Sequence, residues 1–183
     1  YIQDYEFQDH DVLGSLMAAK SIINNDILTS YSDIIFEEKI LKSMTEFSGD
    51  VGIAVDLDWE KNYVNRDQHP KSEADNVLIN GNKILEVRKN ILECKKNEKI
   101  GEFLGLMKLS KKGSSMFLEK YSELEVSHKG KFHNSPSLEK AYLTDMLQEL
   151  IDSGIRISPI YISGKWCEVD TPQDLEIARK LFY

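Results

Sequence analysis

Asp26-Ile-Leu-Thr-Ser-Tyr-Ser-Asp-Ile-Ile-Phe-Glu37 is the stretch that decides how the rest of the chain is read. Ile27 to Tyr31 has the composition of a buried strand, and it runs into an acidic residue, Asp33, and then a second apolar triplet. Open α/β sheets bind their ligands in the crevice beyond the carboxyl ends of the strands, so a carboxylate at this point is a candidate for handling metal or phosphate. Asp33 can equally cap a turn or a short helix. Its counterpart near the C-terminus is Trp166-Cys-Glu-Val-Asp-Thr-Pro-Gln-Asp-Leu175, where a strand again ends in an aspartate, Asp170.

Working outward, Val12 to Ile23 has helical spacing with Asp11 as N-cap, and Asn24-Asn25 stops it before the strand. Glu37 to Phe47 is a second helix, ended by Ser48-Gly49-Asp50, and Val51 to Leu57 a second strand rich in β-branched residues. Helix, strand, helix, strand is the alternation of a parallel sheet with covering helices. Asp58 to Asp75 is polar, holds Trp59, Tyr63, Arg66 and His69, and is long for a connector, as binding loops often are. Asn80-Gly81 between two apolar runs, 76–79 and 83–87, signals a hairpin. Ile100 to Leu109 reads as a buried strand whose Gly101 and Gly105 mark a bulge or a close approach. A helix over Ser110 to Tyr121 and a polar, basic loop over Ser127 to Pro136 lead to the longest helix, Leu138 to Ser153, with Gly154 after it. Strands at Ile155 to Ile162 and Lys165 to Val169 precede a closing helix from Pro172 to Phe182, with Thr171 as N-cap. The expectation is one α/β domain over residues 1–183 with a mixed, mostly parallel sheet flanked by helices on both faces.

Charge and composition narrow the function. The 183 residues carry a net charge of −8, which leaves no basic footprint for nucleic acid. No apolar run approaches the ~18 residues of a membrane span, and no signal peptide is visible. Cys94 and Cys167 match no zinc spacing and read as idle thiols of a reducing cytoplasm. The chain begins at Tyr1 without a methionine and reads as the remainder of a longer product.

Two carboxylates from distant segments, each at a strand end, suit a hard divalent ion. Mg2+ takes only one or two protein carboxylates and completes its octahedron with water and phosphate oxygens. The duller account of Asp170 is equally physical: Thr171, Pro172 and Asp174 are what any well-capped helix start contains, and Asp170 sits beside its positive end.

Ser30-Tyr-Ser-Asp-Ile-Ile-Phe36 and Glu168-Val-Asp-Thr-Pro-Gln-Asp-Leu175 resemble the nucleotidyltransferases of the sugar-phosphate pyrophosphorylase superfamily. Within it the chain is similar to the branch that activates phosphocholine or 2-aminoethylphosphonate with CTP, including domains linked to phosphoenolpyruvate phosphomutase. Leu13-Gly-Ser-Leu-Met17, Asp56-Leu-Asp-Trp59, Tyr63 with Arg66, His69-Pro70, Gly101-Glu-Phe-Leu-Gly105 and Ala141 to Leu150 stand in that branch's order. The resemblance implies a Mg2+ ion held by Asp33 and Asp170, and Lys89 on a phosphate or phosphonate oxygen. It further implies an ammonium-binding cage from Asp58, Trp59, Glu102, Tyr142, Asp145 and Trp166. Lys89 as a solvated surface lysine and each aromatic as core packing are the alternatives. Implied partners are CTP and a small phosphorylated or phosphonylated amine, without nucleic acid or membrane, in a homodimer or fused to a phosphonate-pathway domain. The branch's glycine-rich, basic triphosphate loop has no counterpart before Gly14, so the first strand and that loop are expected upstream of Tyr1. Asp9-His10-Asp11 stands where related chains often have paired asparagines. A sugar-1-phosphate nucleotidyltransferase and a degenerate module that only binds a ligand or partner are the rival readings.

Overall fold

The computed structural model describes all 183 residues. Its organising element is β6, Glu98–Leu109, the longest strand and buried along most of its length. One edge of β6 is followed by β3, Val51–Asp56. The other edge is shared by two strands. β4, Asp75–Asn80, takes Glu98 to Glu102, and β1, Ile27–Ser30, takes Leu106 to Leu109. Beyond β4 lies β5, Lys83–Lys89, its hairpin partner, and beyond β3 lies β7, Ser158–Tyr161. A second, two-stranded ribbon joins β2, Ile34–Phe36, to β8, Trp166–Glu168.

Sharing one edge between β1 and β4 leaves Phe103 and Leu104 between them, and this opening positions the site. Gly105 makes it. Its φ is +74°, and a Cβ there would stand 2.4 Å from the ring of Tyr31, so only glycine lets β1 close up against β6 at that point. The strand interior carries a register shift opposite Ile53 to Val55, as the two glycines of the strand lead one to expect.

Helices cover both faces. α1 (Val12–Ala18), α3 (Lys111–Ser127) and α4 (Leu143–Asp152) bury Leu13, Phe117 and Met146 on one face, against Ile53, Val77 and Met107. On the other face α2 (Glu38–Glu46) buries Ile40 and Met44 with Ala54, Leu106 and Trp166. α5, Pro172–Phe182, packs beside β8. No helix is long and apolar enough to cross a membrane.

The mixed α/β sheet with helices on both faces is present, but its balance falls on the antiparallel side. Only β3 and β7 pair in parallel. The β1–α2–β3 crossover does make those two strands run the same way; β6 enters between them in the opposite sense. Other boundaries also move. α1 stops at Ala18 and is followed by a 3-10 turn, Lys20–Ile22, while the Asp11 side chain makes no cap bond. α3 runs on to Ser127, because Leu124 still reaches the core. The expected helix from Leu138 starts only at Leu143: Leu138 and Ala141 are buried without being helical, since Asp145 accepts the Tyr142 N–H at 3.0 Å and fixes the first turn there. The triplet after Asp33 is a strand, and the 57–74 segment holds two 3-10 turns, Trp59–Tyr63 and Lys71–Glu73.

Candidate active site

The β2–β8 ribbon joins the two segments that the sequence singles out. Ile34 stands opposite Glu168, and the Val169 N–H donates to the Asp33 carbonyl at 2.8 Å. Asp33 and Asp170 therefore flank one ribbon end, both exposed to a cleft of about 1470 Å³ at the opening between β1 and β4. Lys89, Glu102, Tyr142, Asp145 and Trp166 line the same cleft. Asp58 and Trp59 do not; they border a separate pocket of about 460 Å³.

The reason for that separation is strand parity. β3 ends at Asp56, whose side chain points to the face of Ala54 and Trp166. Its Oδ2 accepts the Trp166 Nε1–H at 2.8 Å and its Oδ1 accepts the Asp58 N–H at 2.8 Å. Asp58 is thereby turned out to solvent, where it pairs with Lys61. Trp59 folds under the loop against Tyr63 and Ala74, with the Lys71 ammonium over its ring.

Asp170 immediately precedes a buried capping knot. Asp174 is fully buried at the third position of α5, where it accepts from Asp170 N–H, Thr171 N–H, the Thr171 hydroxyl and, at 2.5 Å, Arg66 Nε. Burial works against its charge, yet Arg66 and Thr171 hold its pKa below the ordinary value. Arg66 reaches back to the Glu168 carbonyl and stands 4.0 Å from the side chains of Glu168 and Asp170. His69 sets Nδ1 2.8 Å from Asp170 and Nε2 3.8 Å from Glu168.

Several carboxyls in the cleft are held out of their usual range. Burial raises Glu168 to about 7, assisted by Asp170 and Asp33 and opposed by Arg66. Burial likewise raises Glu102 to about 8; the Tyr63 hydroxyl that donates to its Oε1 pulls the other way, and the Glu168 charge adds to the rise. Asp75, which also lines the cleft, is raised to about 6 by burial, with Lys89 opposing. Glu102 Oε2 has no hydrogen-bond partner, and neither has Nδ2 of Asn76, its cross-strand neighbour. Asp145 differs: its carboxylate accepts from Asn134 N–H, the Ser135 hydroxyl and Tyr142 N–H, so it is spent on holding the loop before α4 and the position of Tyr142. Lys89 is bound to Glu73 at 2.7 Å; burial opposes its charge, but Glu73 and Asp75 keep the ammonium protonated above the usual lysine range.

Glu168, His69, Asp75 and the Arg66–Asp174 pair are missing from the sequence-derived site. Glu168 was within reach, since it lies two residues from Trp166 on a strand and so shares its face. Arg66 and His69 stand in the candidate binding loop and in the motifs of the resemblance but are given no role there, and Asp75 has no signal, because the folding of the 57–74 loop over β8 is a non-local matter.

The donor set fits a hard divalent ion. The charges of Asp170 and Asp33 both bear on Glu168, Arg66 is already matched by Asp174, and the raised Glu168 marks a region short of positive charge. Such oxygen donors are what Mg2+ takes.

The fold is that of the nucleotidyltransferases. An inositol-1-phosphate CTP transferase from T. maritima superimposes with a TM-score of 0.67 at 19% identity over 94% of this chain and 61% of its own. A candidate glucose-1-phosphate thymidylyltransferase from Bacillus anthracis gives 0.62 at 17% identity, over 98% and 62%. No protein-family model matches the chain. In sequence it is 26% identical over 152 residues to the CTP:phosphoglutamine cytidylyltransferase of Campylobacter jejuni, covering 83% of this chain and 58% of that enzyme. The chain thus spans about three fifths of the length of these relatives. Its likeness in fold is to nucleotidyltransferases, and its likeness in sequence is to a cytidylyltransferase.

Proposed function

We propose that this chain forms the metal- and acceptor-binding walls of a site that transfers a cytidylyl group from CTP to a small phosphorylated or phosphonylated amine. In this reaction an oxygen of the acceptor's phosphate or phosphonate attacks the α-phosphorus of CTP. The bond to the bridging oxygen breaks, and pyrophosphate leaves with its electron pair. The observation that carries the reading is the β2–β8 ribbon, which draws Asp33 and Asp170 to one end of one cleft.

Asp33 and Asp170, with Glu168 beside them, are the residues that would hold Mg2+; when bound, the ion draws charge off the phosphates and keeps the attacking and leaving oxygens in line. Lys89, released from Glu73, offers a point charge to the acceptor's phosphorus oxygens. Glu102 and Asp75 make the inner cleft short of positive charge, which suits an ammonium end. Trp166, fixed through its bond to Asp56, and the half-exposed Tyr142 offer ring surface to that group. Asp145 acts by holding Tyr142 in place, and Asp58 and Trp59 have no part in this reading.

The test, made on the full-length protein, is pyrophosphate release from CTP and Mg2+ against a panel of phosphocholine, phosphoethanolamine, 2-aminoethylphosphonate and sugar 1-phosphates, with calorimetric titration of CTP alongside. Turnover with a phospho- or phosphono-amine supports the reading. Preference for sugar 1-phosphates would replace the acceptor assignment, and the absence of both turnover and metal-dependent CTP binding would make the chain a non-catalytic module.

A further inference from the structure

Two carboxyls of the cleft lack hydrogen-bond donors. Glu102 is only 3% exposed; its Oε1 accepts from the Tyr63 hydroxyl, and its Oε2 has no partner. Nδ2 of Asn76, across the strand pair, does not serve it and is itself without a partner. Asp75, partly buried on the same cleft, accepts no hydrogen bond through its carboxylate. Its cross-strand neighbour Lys89 supports the charge from a distance and spends its own bond on Glu73. Buried acceptors left this way cost free energy until a donor reaches them.

Aromatic faces are less available. A quaternary ammonium offers no N–H and is held by a cage of rings. Trp59 is closed under the 57–74 loop, with the Lys71 ammonium 4.9 Å over its ring. Of the rings that line the cleft, Trp166 and Phe103 are buried, and Tyr31 packs edge to face on Phe103. Phe7 and Tyr142 remain exposed, and two open rings do not surround a ligand.

We infer that the acceptor's nitrogen is a primary ammonium, selected over a quaternary one by Glu102 and Asp75; this rests on the cytidylyl-transfer reading of the cleft. A primary ammonium brings three N–H donors and one charge, as a lysine side chain does. It has one N–H for Glu102 Oε2 and another for Asp75, in charge-assisted bonds. Burial holds Glu102 protonated up to about 8 in the free chain, and the entering positive charge favours its ionised form. A trimethylammonium carries the same charge behind three methyl groups and satisfies neither acid. A site that hydrogen-bonds an N–H group rejects the analogue lacking it, because its own buried polar groups are then left unpaired.

The experiment measures pyrophosphate release by the full-length protein, with CTP and Mg2+, along two N-methylation series. One runs from phosphoethanolamine to phosphocholine, the other from 2-aminoethylphosphonate to its trimethyl derivative. In each series that turns over, kcat/KM should fall with every methyl group, by at least about 100-fold from first member to last. Glu102→Gln and Asp75→Asn should each raise the Michaelis constant for the primary amine by about tenfold and narrow the gap to the quaternary one. The constant for CTP should stay unchanged, with a thermal melt reporting that the variants fold. Quaternary acceptors used as well as primary ones would overturn the inference and leave transfer to a phospho- or phosphono-amine standing. An equal loss with primary and quaternary acceptors in both variants would take the selection away from these two acids. No turnover with any member of either series would overturn the cytidylyl-transfer reading and the inference with it.

Discussion

Two kinds of buried acid meet at the cleft. At the starts of α4 and α5, Asp145 and Asp174 accept every hydrogen bond their surroundings offer, from backbone, hydroxyl and guanidinium groups. At the strand ends, Glu102 keeps an unpartnered oxygen and Glu168 lies beside two other carboxylates, and both have raised pKa values. A satisfied buried acid is scaffold: it fixes where a helix begins. An unsatisfied one costs stability as it stands, and in the proposed reaction a bound cation would offset that cost. The difference can be broken at either end.

The largest effect should come from the scaffold acid under greatest obligation. Asp174→Ala leaves the nearly buried Arg66 without its 2.5 Å partner and removes the N3 half of the capping box of α5. Breaking a buried pair by removing one partner costs about 3–5 kcal/mol. Urea denaturation should show a loss of that order, and a loss under about 1 kcal/mol would mean that Glu168 and Asp170 take over the guanidinium.

Asp33→Asn and Asp170→Asn should act in the opposite way. Each removes a charge from an exposed side chain at the ribbon end, so stability should change by no more than about 1 kcal/mol. Turnover should fall by about 10²–10³-fold, or roughly 3–4 kcal/mol of barrier, as expected when a preorganised electrostatic contact is lost. Pyrophosphate release at near wild-type rates in either variant would remove that aspartate from the site.

Glu102→Gln separates the two classes by pH. Burial raises the Glu102 carboxyl from an ordinary 4.5 to about 8 in the folded chain. Between those values the folded state holds a proton that the unfolded state has released, so stability falls as pH rises through this window and levels off above it. Glutamine cannot ionise. The variant should melt within about a degree of wild type near pH 5 and about 2–4 °C higher at pH 9. Parallel melting curves across that range would mean that Glu102 is solvated or already paired with a cation.

The same distinction explains what the sequence discloses. Local chemistry was readable: Asn80-Gly81 gives the hairpin, Thr171-Pro172 with Asp174 gives the start of α5, and Gly105 marks the close approach of Tyr31. The two aspartates stand out as strand-end acids and are paired by the resemblance, but the β2–β8 ribbon that joins them was not foreseen. What escaped depends on contacts between distant segments. β6 taking both β1 and β4 on one edge cannot be seen from any one strand, and it is what opens the cleft. The 57–74 loop lying over β8, with Arg66 on Asp174 and His69 on Asp170, is equally non-local. Parity within a strand decided between Asp56 and Asp58, and the sequence alone did not say at which residue β3 ends.

The smallest effect should come from Asp58. Resemblance groups it with the acceptor-binding acids, but the end of β3 turns it outward, so that Asp56 and not Asp58 meets Trp166. Its side chain is 77% exposed and its partner Lys61 is 75% exposed, at a separation of 2.9 Å. Ion pairs that open to water are worth about 0–1 kcal/mol, because solvent screens the attraction and two mobile side chains must be ordered to make it. Asp58→Ala should therefore leave the melt within about 0.5 kcal/mol of wild type and leave the Michaelis constant for the acceptor unchanged. Asp56→Ala, by contrast, frees the indole of Trp166 and should raise that constant. A rise with Asp58→Ala as large as with Asp56→Ala would join the second pocket to the first, and would restore Trp59 to the acceptor site with it.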